Sequence, residues 1–582
     1  MLSMDIEHEG ALAGLDSWMR SLFPLLRARA PDLIVRHDAE LTAVLPELRM
    51  GIQSRYVTLT ESSDPGERVR NYAQDRAYRI PQGLVDLVDE WHTRTGGGQW
   101  AVACDHFDRR GKLAGLFFSA LVRRRGKKLG LQLLLAVDPG AGDGVAAEFA
   151  PFAEVERIRL DVAASPEERI TPGEAARRAE ALEWVRRDAA CIQMFGHEVI
   201  RYWTLAGRTD QAADWHGRML GLFAHLGYYE DALRHHHFIR RALTLFDGRS
   251  SFYGRSMMLN HLQVVYIACG MPGEALRVLE EEGLQVLTVP AQRAGILYLV
   301  AMLHARHLPE RNLELAERHL QEALRELDRA EIDEGQRQFR IGFVLNGLAY
   351  IRFRQGDASE AASLSHQNFE RLEQHLTPTH HRLHRSVLLY NAAQVYGQIG
   401  DYPTAAKYIT RAMEMDPHYS EYFNDRGNIH LKMGHLEDAE RDLLHAIELS
   451  PPYPEVWFNL GQCYARMGRL AEAETAFARA VDLDPTRVPA WVNLARTRHA
   501  LGRRDEALAA YDAAIAEDGS DPLVLSNRGG LHAEMNRLQA ALADLDLAVS
   551  LAPENPVLHR NRARVLDALG RAEGATPAVA TA

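Results

Sequence analysis

The chain has 582 residues, 46% of them apolar and 25% charged, and a formal net charge of −12. That length exceeds a single hydrophobic core, so several domains or a repeat array are expected. The acidic balance argues against a general nucleic-acid binder while leaving room for a local basic patch. No apolar run approaches the roughly 18–20 residues of a membrane helix.

The first 165 residues read as two or three helices, then a strand ("WAVACD"), a helix ("KLAGLFFSALVRRRGKK") and a strand ("LQLLLAVD"). A further strand is expected at "VERIRLD". Strand–helix–strand order implies a small parallel α/β sheet. "QWAVACDHFD" ends an apolar strand on acids, a pattern found where a strand end holds magnesium at a nucleotide-hydrolysing site. Yet no G-x-x-x-x-G-K-[ST] occurs: "RRGKL" and "RRGKK" lack the upstream Gly and the hydroxyl residue, and "TGGGQW" precedes a strand. Without that backbone cradle and its Lys, a nucleotide's phosphates have no receptor. Asp105 is then an ordinary strand-end acid, paired with Arg109 or Arg110. The run Arg123-Arg124-Arg125-Gly126-Lys127-Lys128 closes a predicted helix, where cations complement the dipole. The sharper reading of that run is a phosphate or acidic-partner patch.

"AASPEERI" reads as a linker, and a helix start follows at "TPGE". Thr171 is its N-cap, Pro172 its first residue and Glu174 closes a capping box. Between there and Arg385, turn glycines precede an Ala by five residues at Gly227, Gly270 and Gly356, with irregular spacing. "NLELAERHLQEALREL" from Asn312 is a strongly amphipathic helix.

"WFNLGQCYARMGRLAEAETAFARAVDLDP" places Trp457, Leu460-Gly461, Tyr464, Gly468, Ala473, Phe477, Ala480 and Pro485 in one frame. The frame recurs about every 34 residues, from Ser386, Ser420, Pro454, Val488, Pro522 and Pro556. Turn and second-helix pairs are Gly400/Ala405, Gly434/Ala439, Gly468/Ala473 and Gly502/Ala507, with Asn536/Ala541 in the fifth. Asn tolerates the left-handed backbone that ends a helix. Two helices of about a dozen residues pair because neither buries its apolar stripe alone. Gly461 and Ala473 let them approach, while Trp457, Tyr464 and Phe477 fill the space between repeats. Pro556–Gly570 supplies only a first helix and reads as a terminal cap.

This frame resembles the tetratricopeptide repeat (TPR), closely over 386–570 and loosely over 166–385. The N-terminal strand–helix–strand unit resembles the core of STAND-type signalling ATPases without its phosphate loop, with Asp105 at the metal-holding position. The resemblances imply a mostly α fold: a TPR superhelix (α-solenoid) preceded by a small truncated α/β domain. Four segments are expected: a degenerate ATPase-like domain (1–165), divergent TPR-like pairs (166–385), a regular array with its cap (386–570), and a disordered tail (571–582).

In the TPR resemblance the first helices line a concave groove. The sixth position of each repeat reads Asn391, Asp425, Asn459, Asn493, Asn527 and Asn561. This resembles the Asn ladder by which some TPR superhelices hold an extended peptide backbone, since an amide both donates and accepts. Neighbouring first-helix positions add Asn424, Asn428, Lys432, Gln462, Arg466, Arg496, Arg560 and Arg564. An acidic or extended peptide partner fits such a groove. The bland reading gives the asparagines to helix stacking alone. The Lys/Asn…Lys/Arg set that grips C-terminal carboxylates is absent.

Of 26 histidines, His235-His236-His237 fan out along a predicted helix and cannot share a metal. His380 and His384 fall at i and i+4, but zinc needs further ligands. No HExxH and no G-x-S-x-G occurs. Cys104, Cys191, Cys269 and Cys463 lack CxxC spacing, and "MLSMDIEHEG" lacks a signal pattern. A cytoplasmic protein with reduced thiols is expected.

The leading expectation is a non-enzymatic scaffold holding a peptide or protein, without cofactor, metal, nucleic acid or membrane. The N-terminal domain would dock a second partner or, through its sheet edges, a second copy. The alternatives are a regulatory protein whose degenerate NTPase-like domain binds nucleotide or phosphate, and an accessory metal-dependent enzyme.

Overall fold

A computed structural model of the protein describes residues 2–5, 11–52, 54–62, 73–138, 140–156, 170–247, 254–377 and 379–574. Most of "VERIRLD", the linker before Ile170 and the final eight positions lie outside the described residues. The chain forms two compact units: Met1–Tyr422 with Leu449–Pro451, and Phe423–Glu448 with Pro452–Ala582.

In the first unit, β1 (Leu2–Ser3), β2 (Ala101–Asp105) and β3 (Gln132–Leu135) form a parallel sheet in the order β1-β2-β3. Ala101 pairs with Gln132 and Leu2 with Cys104. Parallel neighbours need a crossover. Helices α1 (Leu15–Arg29), α2 (Ala73–Arg94) and α3 (Lys112–Leu129) pack around the strands, with α3 linking β2 to β3. Phe117 and Phe118 of α3 are fully buried, and Trp18 of α1 stacks on Phe118 at 5.7 Å.

The basic run that ends α3 is answered by α2. Arg124 meets Asp86 at 2.5 Å, Arg125 meets Asp89 at 2.7 Å, and Lys128 also pairs with Asp89. The sheet region shares one buried apolar cluster with the helices after it, running from Met4 to Leu303. Polar contacts join the same regions: Gln193 of α4 (Ala189–Leu205) donates to the Ala43 carbonyl at 3.2 Å, and Tyr78 donates to Glu230 at 3.2 Å. Later in this unit the Leu59 N–H donates to Asp416 at 3.0 Å, and Arg79 pairs with Glu421 at 3.0 Å.

The middle of the chain is helical as expected. Thr171 accepts from the Glu174 N–H at 3.3 Å, with Pro172 as first helical residue. The amphipathic helix Leu313–Arg329 is capped by Asn312 and buries Ala316, Leu320, Ala323 and Leu327. The turn glycines Gly227, Gly270 and Gly356 take φ of 84°, 73° and 93°. Two π-helical turns, Glu280–Leu284 and Leu303–His307, put extra residues into the helices here and break any fixed repeat length.

The regular repeats follow as helix pairs. The first, still in unit one, is α5 (Arg382–Gln398) with α6 (Tyr402–Met415). Then come α7 (Ser420–Met433), α8 (Leu436–Leu449), α9 (Pro454–Arg466), α10 (Leu470–Leu483), α11 (Val488–Ala500), α12 (Arg504–Glu517), α13 (Pro522–Glu534) and α14 (Leu538–Leu551). A last single helix, α15 (Pro556–Gly574), continues past Gly570. Five of the six starts read from the frame coincide with the first helical residue; α5 begins four residues before Ser386. Gly434, Gly468 and Gly502 are left-handed, and Asn536 joins them at φ 59°.

Gly461 shows why the frame needs a small residue. A Cβ there would lie 2.6 Å from the Phe477 ring, and Phe477 is fully buried. No described helix is long and apolar enough to cross a membrane.

Gly461→Ala is expected to cost about 1–3 kcal/mol, because a buried ring must move; a lowered urea midpoint checks it. Asp231, only 2% exposed, gives a pH-dependent prediction. Burial raises its pKa to about 7, opposed chiefly by Arg234 and by the Lys112 N–H. The unfolded carboxyl ionises from about pH 4, the native one only near 7, so stability falls across that window and stays lost above it. Asp231→Asn is therefore expected to raise the melting temperature at pH 8 and to bring little gain at pH 4.

Candidate functional site

The first helices of the second unit carry the ladder side chains, and several of them bond along the stack. Asn459 Nδ2 on α9 donates to Asn424 Oδ1 on α7 at 3.0 Å, and Asn424 Nδ2 donates to Asp425 at 3.2 Å. Asn561 on α15 donates to Ser526 on α13 at 3.1 Å. Arg466 donates to the Leu431 carbonyl at the end of α7, a favourable place for a cation. Asn493 turns back to its own helix, donating to the Pro489 carbonyl at 2.8 Å. In the first unit, Asn391 donates to Asn346 at 2.9 Å. Asn428 and Gln462 are half-buried, whereas Lys432, Arg496, Asn527, Arg560 and Arg564 are exposed.

The two helices of each pair differ in charge. On α11 Arg496 and Arg498 face no acid of the same helix, and α15 has Arg560, Arg562 and Arg564 against Asp567. The second helices reverse this. On α8, Glu437, Asp438, Glu440, Asp442 and Glu448 outnumber Arg441; on α12, Asp505, Glu506, Asp512 and Glu517 outnumber Arg504. The acids of the second helices also hold some first-helix cations in place. Arg528 is bidentate to Asp544 at 2.9 and 2.6 Å, and Arg426 to Asp442 at 2.7 Å for both bonds.

At the sheet, Asp105 is the last residue of β2, and Asp5 and Asp138 follow β1 and β3. Asp105 does not pair with Arg109 or Arg110 as expected. It caps the His106 N–H at 3.0 Å and faces the His106 ring, whose φ of 52° turns the chain sharply there. Arg109 instead pairs with Asp138 at 2.9 Å and Asp5 at 3.4 Å, because neighbouring parallel strands end at one edge. Arg110 pairs with Glu148.

The singled-out histidines have other partners. His235 precedes the short helix His236–Arg241 and shares a 2.8 Å bond with His216 through both Nδ1 atoms. Burial pulls His235 to about 3 and His216 to about 4, so both stay neutral. His380 lies before α5, which breaks the expected i, i+4 pair; His384 is buried and stacks on Phe343 at 4.1 Å. One grouping does not stand out in the sequence: His430, His435 and Asp438 bring one ligand atom each to within 4.8 Å of one another. Its signal, H-x4-H-x2-D, is legible only once Gly434 is known to fold α8 back on α7.

Tetratricopeptide repeat models match residues 387–419, 424–488, 466–526 and 556–580. The chain therefore carries tetratricopeptide repeats within 387–580. No curated protein matches the chain. Similar solved structures include YrrB, "a TPR protein with an unusual peptide-binding site", at 20% identity over 32% of this chain and 92% of that one, TM-score 0.27. A thermophilic TPR protein of Thermus thermophilus is 23% identical over 31% of this chain and 98% of its own, TM-score 0.27. The Cut9–Hcn1 complex aligns with 68% of this chain and 93% of its own at 12% identity, TM-score 0.32.

Proposed function

We propose that the protein is a non-enzymatic scaffold whose repeat array holds an extended, acidic peptide or protein segment along its first helices. The observation that carries this reading is the segregation of charge within the pairs: exposed Arg496, Arg560 and Arg564 stand on first helices, while the second helices are rich in acids. Exposed cations on α11 and α15, beside first helices α7, α9 and α13 whose acids and bases balance, attract an acidic segment over a distance within a protein of net charge −12. Amides add the rest. Asn527 is exposed, and an amide that gives one hydrogen to the stack keeps further capacity to donate and accept toward a peptide backbone. Asn459 and Asn561 serve stack and ligand together in this reading. The gain to a cell is recruitment: two partners held on one chain meet at raised effective concentration.

The nucleotide or phosphate alternative draws less support. Arg109 already answers strand-end acids, and Arg124, Arg125 and Lys128 answer α2.

A fluorescence titration tests the proposal with 15-residue peptides of acidic, neutral and basic composition. Acidic peptides are expected to bind most tightly and to weaken with salt. The triple variant Arg496→Glu, Arg560→Glu, Arg564→Glu should lose at least about tenfold in affinity, with unchanged thermal unfolding. Equal binding of all three peptide classes, or full binding by the variant, would move recognition off the first helices.

A further inference from the structure

We propose that His430, His435 and Asp438 form a binding site for a divalent transition metal of the zinc class, a clip across the turn between α7 and α8. This site is independent of the peptide reading.

The backbone between the two histidines is fixed. Gly434 is left-handed at φ 82°, the His435 N–H donates to the His430 carbonyl at 2.9 Å, and the Gly434 N–H donates to the Leu431 carbonyl at 3.0 Å. Then the Ala439 N–H donates to the His435 carbonyl at 3.1 Å and starts α8. So His430 stands on the last turn of one helix, His435 at the corner and Asp438 on the first turn of the next. One ligand atom from each already lies within 4.8 Å of the others. Two imidazole nitrogens and a carboxylate oxygen are a donor set that zinc takes, with water completing four-coordination.

The surroundings of His430 add a second, separate observation. Its Nδ1 is shielded from solvent and has no hydrogen-bond partner among the described residues. Its Nε2 lies 3.8 Å from Asp442, a buried carboxylate held rigid by Arg426. A carboxylate beside one ring nitrogen fixes the tautomer and presents the other nitrogen to a metal. His435 is exposed and gives the ion a way in. Asp438 pairs with Arg441 at 2.9 Å, an open surface pair that an incoming cation displaces at little cost.

The other repeats mark this turn as unusual. The positions of His430, His435 and Asp438 are taken by Tyr464, Arg469 and Glu472 one repeat on, and by Arg498, Arg503 and Glu506 in the next. There the turn residue pairs with the acid three places later: Arg469 with Glu472 at 3.0 Å, Arg503 with Glu506 at 3.6 Å. An ion pair suffices for such a turn. Replacing the cation by His, and adding a second His with an orienting carboxylate behind it, changes an ion pair into a ligand set.

Cobalt(II) titration of the full chain at pH 7.5, followed by its visible absorption and displaced with zinc, tests the site. One equivalent is expected to bind with the intense spectrum of a tetrahedral ion. His435→Gln, at an exposed corner that leaves the fold intact, should weaken binding at least tenfold. Asp442→Asn should weaken it by about 10–100-fold. His445→Gln, on the same helix outside the set, should leave it unchanged. Absence of the tetrahedral spectrum, or full affinity in His435→Gln, would overturn the proposal.

Discussion

The array depends on how closely two short helices can approach. Neither helix of a pair has enough apolar surface to stand alone, so each repeat must bring backbone against a neighbouring ring. At Gly461 and Phe477 that approach leaves no room for a methyl group. The left-handed turn residue, Gly468 in this repeat, sets the angle at which the second helix returns. The 34-residue frame follows from these two demands, since one fixes where a small residue must sit and the other where the chain must reverse. Phe477, expected to fill the space between repeats, lies instead against Gly461 inside its own pair, and Trp457 and Tyr464 join it in one apolar cluster.

Because those demands are local, the regular part of the fold is legible in the sequence. The helix starts at Ser420, Pro454, Val488, Pro522 and Pro556 can be read directly, and Asn536 replaces Gly without disturbing the turn. Legibility fails where packing between distant segments decides. The π-helical turns at Glu280–Leu284 and Leu303–His307 shift the frame by amounts that no local pattern announces. His380 and His384 have the spacing of a helical pair, but α5 begins only at Arg382. The cations Arg124, Arg125 and Lys128 look free in sequence because Asp86 and Asp89 lie about forty residues earlier in the chain. The resemblance of the sheet region to an ATPase core finds no support in the matched family models, which all lie beyond residue 386.

The candidate face is legible in composition but not in hydrogen bonding. Position and spacing identify the asparagines; they do not reveal that Asn459 reaches Asn424, or that Asn561 reaches Ser526. Those bonds run between successive first helices and tie the repeats together on the side where a ligand would lie. Electrostatics completes the division of labour. Acids on the second helices hold Arg426 and Arg528 in place, while the exposed arginines of α11 and α15 extend from the first helices. A stack built this way presents donors at fixed intervals, and an extended chain matches fixed intervals better than a folded surface does.

The most direct measurement is the position of a bound chain on the array. An acidic 15-residue peptide carrying one photoreactive residue would be cross-linked to the full protein, and the attachment sites mapped by mass spectrometry. The account predicts attachment within residues 420–433, 454–466, 488–500, 522–534 and 556–570, the first helices. Attachment concentrated in 470–483, 504–517 and 538–551, or in residues before 386, would contradict it.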